Sequence, residues 1–197
     1  MSFTDSAEPV PAELKTDEFA LRPIVAEDAE MDYAAVIETR EYLRLWQQSA
    51  WPEDDFTVAA NRKDLVDLAQ RHAEHRAFTY TVFEPDGARC LGCVYVFPTS
   101  ATFLLKSTVT PVGDDQWADV DAVIFFWVRL SQMETGLDER LLAALRAWFN
   151  EEWKLKNAVY ATNEQFRHQL ELVERTDMNL KFELLEPGKP GKYLVFG

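Results

Sequence analysis

The stretch DAVIFFWVRLSQMETGLDERLLAALRAWFNE, residues 121–151, joins a buried strand to an amphipathic helix through one short turn. Residues 122–128 are all apolar and rich in branched and aromatic side chains, which is typical of a strand buried on both faces. From Asp138 onward the period becomes helical, with one apolar stripe made of Leu141, Leu142, Leu145, Trp148, Phe149 and Trp153. A buried strand, a tight turn and a helix direct free backbone N–H groups at one point, which suits a phosphate-bearing ligand.

Length and composition indicate one globular domain. The chain has 197 residues, of which 47% are hydrophobic and 27% are charged, so it can bury a sizeable core. Residues 1–17 are polar and lack periodicity, and we predict a flexible N-terminal tail before a single domain over residues 18–197. The formal net charge of −14 argues against nucleic acid or an anionic membrane as a partner. We see neither a membrane-spanning apolar run nor a signal-peptide pattern, so a cytoplasmic location is expected.

Hydrophobic periodicity and turn residues divide the domain into strands and helices. We predict strands over residues 19–24, 77–83, 89–97, 122–128, 157–162, 180–185 and 193–196, with a further short strand within residues 102–110. We predict helices over residues 28–46, from Thr57 or Asn61 to residue 75, from residue 138 onward, and over residues 163–175.

This order of elements resembles the GNAT superfamily of acyl-CoA-dependent N-acyltransferases. Local matches are Leu21-Arg22-Pro23 with Asp28, the hairpin of residues 86–96, and the fourth helix at residues 172–178. The resemblance covers residues 19–197 and implies an α/β fold, with a mixed, mostly antiparallel central sheet of about six to seven strands flanked by about four helices. It also implies that the strands at residues 122–130 and 157–162 splay apart, leaving backbone groups free for the pantetheine arm of CoA.

The resemblance implies acetyl-CoA, or another acyl-CoA, as co-substrate. The family motif Arg/Gln-x-x-Gly-x-Gly/Ala, at the turn into the third helix, holds the pyrophosphate through its amides. Aligned on the two adjacent leucines of that helix, this chain has Met133, Gly136 and Asp138 at the three positions, so one of the three matches. The residues implied to contact the cofactor are Trp127, Val128, Arg129, Leu130, Met133, Glu134, Thr135, Gly136, Leu137, Asp138 and Asn163.

The same turn has an interpretation that needs no ligand. Thr135 and Asp138 fit a capping box, in which their side chains satisfy the first amides of the helix. A carboxylate about 4 Å from a phosphate charge would cost on the order of 4 kcal/mol at an effective dielectric near 20. The family's frequent general acid, a tyrosine of the fourth helix, aligns with Val173. A catalytically inactive GNAT-fold binding or interaction module is therefore the alternative function.

The loop after the first helix combines aromatic and acidic side chains. Trp46 and Trp51 lie close in sequence to Asp54 and Asp55, and in GNAT proteins this loop commonly borders the acceptor site. Carboxylate and cation–π contacts would favour a primary amine of a small molecule or peptide, so these four residues are substrate-binding candidates. The alternative is a solvated loop whose tryptophans pack on the core.

Asp119 and Asp121 precede the central strand, where similar enzymes often place a carboxylate that works through water. Asp121 is therefore our candidate general base, provided that burial raises its pKa. The alternative is that both carboxylates are solvated residues at the end of the preceding loop.

The cysteines and histidines do not predict a metal site. Cys90 and Cys93 form a CxxC, but residues three apart in a strand face opposite sides, so we predict free thiols without metal. His72 and His75 lack an evident third ligand. The acceptor, the acyl chain and the oligomeric state, including a homodimer, stay open.

Overall fold

The structure, a computed structural model, describes residues 3–4 and 9–197. Its strands are β1 (Leu14–Lys15), β2 (Ala20–Pro23), β3 (Phe78–Phe83), β4 (Cys90–Phe97), β5 (Thr108–Pro111), β6 (Ala122–Val128), β7 (Ala158–Asn163), β8 (Leu180–Leu185) and β9 (Tyr193–Phe196). Its helices are α1 (Ala29–Glu38), α2 (Arg40–Gln47), α3 (Val58–Ala73), α4 (Thr102–Lys106), α5 (Leu130–Met133), α6 (Leu137–Glu151) and α7 (Arg167–Glu174). Within these residues, we find no helix with both the length and the hydropathy of a bilayer-spanning segment.

The strands form one sheet in the order β1-β2-β3-β4-β6-β7-β9-β8-β5. Neighbouring strands are antiparallel except β6 and β7, which run parallel. This mixed, mostly antiparallel sheet confirms the predicted α/β fold class. The structure has more strands and helices than predicted because short elements such as β1, α4 and α5 carry no readable period of their own.

Helices cover both faces of the sheet. On one face, Trp46 of α2 packs against Tyr95 of β4, with ring centroids 5.7 Å apart. On the other face, Trp148 of α6 packs against Tyr80 of β3 at 5.1 Å. Tyr80 and Tyr95 point to opposite sides of the sheet. Tyr80 pairs with Val94, so these two side chains share a face, and Tyr95, the next residue along β4, points to the other face. The all-apolar β6 lies between the two layers and is buried on both faces, as predicted.

The helix predicted over residues 28–46 is in fact two helices that meet at Thr39. The Thr39 side chain is buried, and its hydroxyl oxygen accepts a hydrogen bond of 3.0 Å from the amide of Leu130. This bond ties the junction to the first residue of α5, two positions beyond the end of β6. A helix break accompanied by a distant contact leaves no trace in local periodicity, since both segments keep an apolar side.

The prediction that Cys90 and Cys93 face opposite sides of β4 is wrong. Both sulfurs lie near the same carboxylate oxygen of Asp32, at 3.9 and 3.4 Å. The register against β3 shifts between Val82 and Phe83, which leaves one extra residue in β4 and rotates Cys90 onto the face of Cys93. The thiols are free, as predicted, and both are buried.

The N-terminal tail predicted for residues 1–17 falls partly outside the described residues. Within the described part, Leu14 pairs with Leu21 of β2, and the Tyr80 hydroxyl donates a hydrogen bond of 2.7 Å to the carbonyl of Pro11. Residues 11–15 are therefore attached to the edge of the sheet. A two-residue strand is too short to give an alternating pattern.

The connection between β4 and β6 was predicted to hold one short strand. The structure places helix α4 there, followed by strand β5, which pairs antiparallel with β8 at the far edge of the sheet. The predicted short strand is present as β5, but the helix α4 before it was not predicted.

Candidate active site

The parallel strands β6 and β7 separate along their length. They pair only from Ala122 with Ala158 to Ile124 with Tyr160. Beyond these positions β6 continues to pair with β4, and β7 pairs with β9. The splay predicted between these two strands is therefore present. It leaves the edge of β6 from residue 125 to 128 facing a gap in the sheet.

A glutamine side chain from α7 enters this gap. The amide nitrogen of Gln169 donates to the carbonyl of Phe126 at 2.8 Å, and its amide oxygen accepts from the Thr162 hydroxyl at 2.9 Å. Gln169 thus bridges the two separated strands and satisfies one carbonyl of β6. Sequence reasoning missed this residue, although a glutamine beside the apolar Leu170, Leu172 and Val173 was an available signal.

The turn into α6 differs from the predicted capping box. Gly136 occupies the N-cap position with a positive φ of 71°, and no side chain caps the helix. The Thr135 hydroxyl instead donates to the carbonyl of Gln132 at 2.8 Å. Among the described residues, no protein acceptor bonds to the backbone N–H groups of Leu137 and Asp138. The start of α6 therefore offers two free amides to an anion.

Asp138 is a buried carboxylate directly beside these amides. One of its oxygens accepts from the amide of Glu139 at 3.0 Å, and the other lies 2.5 Å from His168 Nε2 on α7. A carboxylate at this point competes with a phosphate for the positive end of α6. His168 is exposed, and its ring pairs with this carboxylate.

A second carboxylate occupies the first part of the turn. Glu38 accepts hydrogen bonds from the amide of Ser131 at 3.0 Å and from Nε of Arg129 at 2.5 Å. Burial raises the pKa of Glu38, but the bonds from Ser131 and Arg129 outweigh burial and hold its pKa below the ordinary value. Arg129 and the amide of Ser131 are thus bound within the protein, and the free anion-binding groups lie further along, at the start of α6.

The other residues implied to contact the cofactor lie around the same gap with different exposures. The side chains of Trp127, Val128, Met133 and Leu137 are buried, whereas Glu134 is exposed. Asn163 lies at the end of β7, beside the gap, and its side-chain oxygen accepts from the amide of Gln165 at 2.9 Å. Its side-chain nitrogen bonds to the carbonyl of Leu45. The amide of Leu130 is also bonded within the protein, to Thr39.

A cavity of about 450 Å³ opens on the α1–α3 face of the sheet, next to the splay. Phe125, the first residue of β6 beyond its pairing with β7, lies in its wall together with Tyr193 of β9. These two rings are 5.6 Å apart. The remaining wall is formed by Trp46, Gln47, Trp51, Asp64, Asp67, Leu68, Arg71, Tyr95, Phe97, Phe103, Glu186 and Lys189.

The cavity contains two of the four predicted substrate-binding residues. Trp46 and Trp51 are in its wall, but Asp54 and Asp55 are exposed and outside it. Asp54 forms an ion pair of 2.7 Å with Arg44, and this hydrogen bond lowers the pKa of Asp54. The predicted role of the two loop aspartates is therefore not supported by their positions, since the loop folds back onto α2.

The acidic groups of the cavity come from other elements. Asp64 and Asp67 belong to α3, and Glu186 follows β8. Burial raises the pKa of Asp64, and the nearby carboxylates of Glu53 and Asp67 raise it further. Sequence reasoning missed these residues because only tertiary packing brings α3 and the β8–β9 connection to one opening.

Asp121, the candidate general base, lies at the other end of β6 from the splay. It is exposed, and one of its oxygens accepts from the amides of Lys156 and Asn157 at 2.8 and 2.9 Å. Asp119 is exposed as well, and its carbonyl accepts from the side chain of Asn157. Both aspartates form hydrogen bonds with the connection before β7. Their exposed positions correspond to the alternative interpretation, in which both are solvated residues at the end of the preceding loop.

The phenol next to the splay is Tyr193. Its hydroxyl donates to the carbonyl of Gln47 at 3.2 Å, and burial raises the pKa of Tyr193. Its side chain therefore holds its proton over the ordinary pH range. Val173, which aligns with the family's frequent general acid, is buried in α7 and has no proton to give.

The histidines and cysteines do not come together around a metal. Within the described residues, no group of three or more histidine, cysteine or carboxylate side chains could hold a metal ion. The His72 ring instead packs edge-on against Phe78 and Tyr80, with centroid distances of 5.0 and 5.2 Å.

No protein-family model matches the sequence, and no curated protein matches it either. Solved structures do match over nearly their full length. A ribosomal-protein-S5-alanine acetyltransferase from Vibrio fischeri is 14% identical, with a TM-score of 0.66 over 94% of this chain and 95% of that one. RimL, a ribosomal L7/L12 alpha-N-protein acetyltransferase solved with coenzyme A, is 14% identical, with a TM-score of 0.67 over 96% of each chain.

A third match is the microcin C7 self-immunity acetyltransferase MccE, solved with acetyl-CoA and AMP. It is 14% identical to this chain, with a TM-score of 0.66 over 92% of each. At this low sequence identity, the similarity to these structures shows a shared fold only. The splayed parallel pair in a mostly antiparallel sheet and these structural matches lead to one conclusion: the chain has the fold of the GNAT superfamily.

Proposed function

We propose that this protein is an acyltransferase that moves an acetyl or other acyl group from acyl-CoA to a primary amine of a small molecule or protein. The observation that carries this proposal is the position of the cavity. Its wall contains Phe125, the residue at which β6 leaves β7. A thioester held in the splay would therefore lie next to an amine held in the cavity.

The cofactor would use the groups that the fold leaves free. The pantetheine arm would pair with the edge of β6 from residue 125 to 128, apart from the Phe126 carbonyl that Gln169 already occupies. The pyrophosphate would bind the amides of Leu137 and Asp138 at the start of α6. CoA and acetyl-CoA bound to the structural neighbours RimL and MccE support this co-substrate.

The reaction would be direct attack of the neutral amine on the thioester carbonyl. The N–C bond forms, the C–S bond breaks, and the amine loses one proton while the thiolate of CoA gains one. Asp64 would accept the amine proton, directly or through water, since it lies in the cavity wall and its pKa is raised. Tyr193, next to the splay, would supply the proton to the thiolate.

Titration of the protein with acetyl-CoA tests this proposal. Saturation at about 100 times the dissociation constant should add about 2.7 kcal/mol to the free energy of unfolding. For a chain of this size, that corresponds to a rise in melting temperature of about 5–10 °C. AMP serves as the control, because it lacks both pyrophosphate and pantetheine and should give a much smaller shift.

Transfer itself can be followed as release of free CoA thiol with a thiol reagent. The protein contributes little background, because Cys90 and Cys93 are 0% and 1% exposed. A set of primary amines at saturating acetyl-CoA should give release above the hydrolysis rate. Binding of acetyl-CoA without release for any amine would contradict the enzymatic proposal.

The alternative is a GNAT-fold binding or interaction module without catalysis. Two observations favour it specifically: Gln169 bridges the splay, and the Asp138 carboxylate lies beside the only amides left free at the start of α6 among the described residues. Absence of any acetyl-CoA binding in the titration would select this alternative.

A further inference from the structure

The cavity beside the splay continues into a second one, and the two differ in chemistry. We call the first the inner cavity and the second, of about 780 Å³, the outer cavity. They share Asp67, Arg71, Phe97, Phe103 and Glu186 in their walls. A single elongated ligand can therefore occupy both, with one end next to the splay and the other near the surface.

The inner cavity suits a cation attached to a flat apolar group. Six aromatic residues besides Phe125 line it, and three carboxylates face two basic side chains. Both basic groups have partners, because Arg71 pairs with Asp67 and the Lys189 ammonium donates to the carbonyl of Gln47 at 2.7 Å. Among the described residues, Asp64 and Glu186 form no ion pair. Carboxylates and aromatic faces together bind ammonium groups.

The outer cavity has the opposite balance of charge. Three basic side chains, Arg71, Arg76 and Lys106, line it with two carboxylates, and two of the three are paired, Arg71 with Asp67 and Arg76 with Glu74. Ser100 and Thr102 add hydroxyl groups to the same wall. Within the described part of the chain, Lys106 has no ion-pair partner. This end of the opening therefore suits an anionic group.

We propose that the acceptor is a bipolar amine: a primary ammonium on an aromatic or bulky apolar body, with a carboxylate or phosphate at its far end. The ammonium and its apolar body fill the inner cavity, next to Glu186 and the aromatic walls. The anionic end reaches Lys106 in the outer cavity. That this amine is acylated rests on the proposed acyl transfer, in which the group at the inner end of the ligand lies next to the splay.

Calorimetric titration without acyl-CoA tests the ligand class. The probes are tyramine phosphate, tyramine, which lacks the anion, and spermidine, which lacks the aromatic body. Tyramine phosphate should bind most tightly and spermidine most weakly. A C-terminally amidated Phe-Gly-Glu peptide distinguishes the source: tighter binding of the peptide than of tyramine phosphate assigns the same chemistry to a protein N-terminus, and weaker binding assigns it to a small molecule.

Variants locate the two ends. Glu186→Gln should weaken both tyramine and tyramine phosphate about tenfold, as expected for a hydrogen bond to a charged group. Lys106→Gln should weaken only tyramine phosphate, by about two- to fivefold, as expected for a partly exposed charge pair. Lys156→Gln is the matched control, because Lys156 is exposed and outside both cavities.

Two results would overturn this inference: spermidine binding as tightly as tyramine, or equal binding of tyramine and tyramine phosphate. Because these titrations contain no acyl-CoA, they report on the acceptor alone. The acetyl-CoA titration reports on the proposed function alone, so failure of one is distinguishable from failure of the other.

Discussion

At the start of α6, Asp138 occupies a position where the GNAT pattern has glycine or alanine, and its side chain is buried beside two free amides. Its charge is held in place by the amide of Glu139 and by His168. A small neutral residue would let a phosphate approach without repulsion. We therefore predict that Asp138 is the residue that most directly limits the affinity of the proposed acyl-CoA site.

Asp138→Asn should strengthen acetyl-CoA binding by about three- to tenfold, since a screened unit charge about 6–10 Å from a phosphate costs roughly 0.7–1.4 kcal/mol. The amide keeps the shape of the carboxylate and its hydrogen bond to Glu139. Asp138→Gly should act in the same direction on affinity but lower the melting temperature further, because it also removes these bonds. The measurement is calorimetric titration of each variant.

Asp121→Asn is the control for this change. It also removes one carboxylate, but at the far end of β6, and should leave acetyl-CoA affinity unchanged. Equal or weaker binding by the Asp138→Asn variant would show that the electrostatic argument does not hold.

Tyr193→Phe should lower the turnover rate of acyl transfer by about tenfold or more, with little change in acetyl-CoA affinity, because general acid catalysis contributes roughly 10²–10⁴-fold. The phenyl ring keeps the contact with Phe125 and loses only the hydroxyl. The rate of CoA release at saturating substrate measures this. Tyr95→Phe is a matched control, since Tyr95 lies in the same wall and its hydroxyl accepts a hydrogen bond from Trp127 Nε1; equal losses in both variants would contradict a special role for Tyr193.

Among the elements, β4 and β6 are in close contact where Gly92 pairs with Val128. A Cβ at Gly92 would lie 2.1 Å from the carbonyl oxygen of Trp127, and its φ of 157° is one that other residues rarely adopt. This position follows the extra residue that brings both cysteines to Asp32. The bulge and the glycine together fix β6 against β4 just before the turn into α6.

Gly92→Ala should destabilise the protein by about 3 kcal/mol or more, since overpacking of a core typically costs 1–3 kcal/mol and here the clash is with backbone. Gly113→Ala is the control, because no heavy atom lies within 4 Å of a Cβ at that position. Urea unfolding of the two variants measures the difference. Similar midpoints for both would show that the strands can move apart freely.

The contact of α3 with β3 depends on a neutral His72. Burial lowers the pKa of His72 below its usual value of 6.5. The unfolded chain therefore binds more protons than the folded one between the two pKa values, so stability is retained above about 6.5 and decreases as the pH falls below it. His72→Phe should remove this loss of stability at low pH while keeping the edge-on contacts with Phe78 and Tyr80.

Urea unfolding at pH 8, 7, 6 and 5 checks this prediction. The stability of the phenylalanine variant relative to wild type should increase as the pH falls, and the carboxylates common to both proteins cancel in the comparison. A constant difference across this range would rule out a protonation penalty at His72.

On the scale of the whole molecule, 34 acidic residues oppose 20 basic ones, and the net charge is −14. The ion pairs are mostly at exposed positions, where each contributes little. We therefore expect repulsion among the excess carboxylates to outweigh the attraction within these pairs. The folded state keeps this charge close together, whereas unfolding separates it.

Sodium chloride should therefore stabilise the protein. Raising its concentration from about 20 to 300 mM shortens the Debye length from roughly 20 to 6 Å and should increase the melting temperature by about 2–4 °C, or about 1 kcal/mol for this chain length. Near the isoelectric point, at about pH 4.6, the increase should disappear. A melting temperature that falls with salt at neutral pH would mean that the ion pairs dominate.

The sequence by itself determined the fold class and the place of the splay. Residues 122–128 indicate a strand buried on both faces, because they offer no polar side, and the helical stripe after Asp138 indicates a helix packed on the sheet. The cleft between β6 and β7 follows from the element order that resembles GNAT proteins, and the structure has it. The strand and the helix are encoded by contiguous runs of residues, so local periodicity reveals them, whereas the splay was implied by the resemblance alone.

Tertiary structure alone decided which side chains meet at the site. Gln169 reaches Phe126, Glu38 reaches Ser131, and Asp64 shares a cavity with Glu186 across long separations in the chain. Asp54 and Asp121, chosen from their positions in sequence, are bonded elsewhere on the surface. The physical reason is that a side chain's partner depends on strand register, bulges and helix junctions, which the full set of packing contacts fixes together and no local pattern contains.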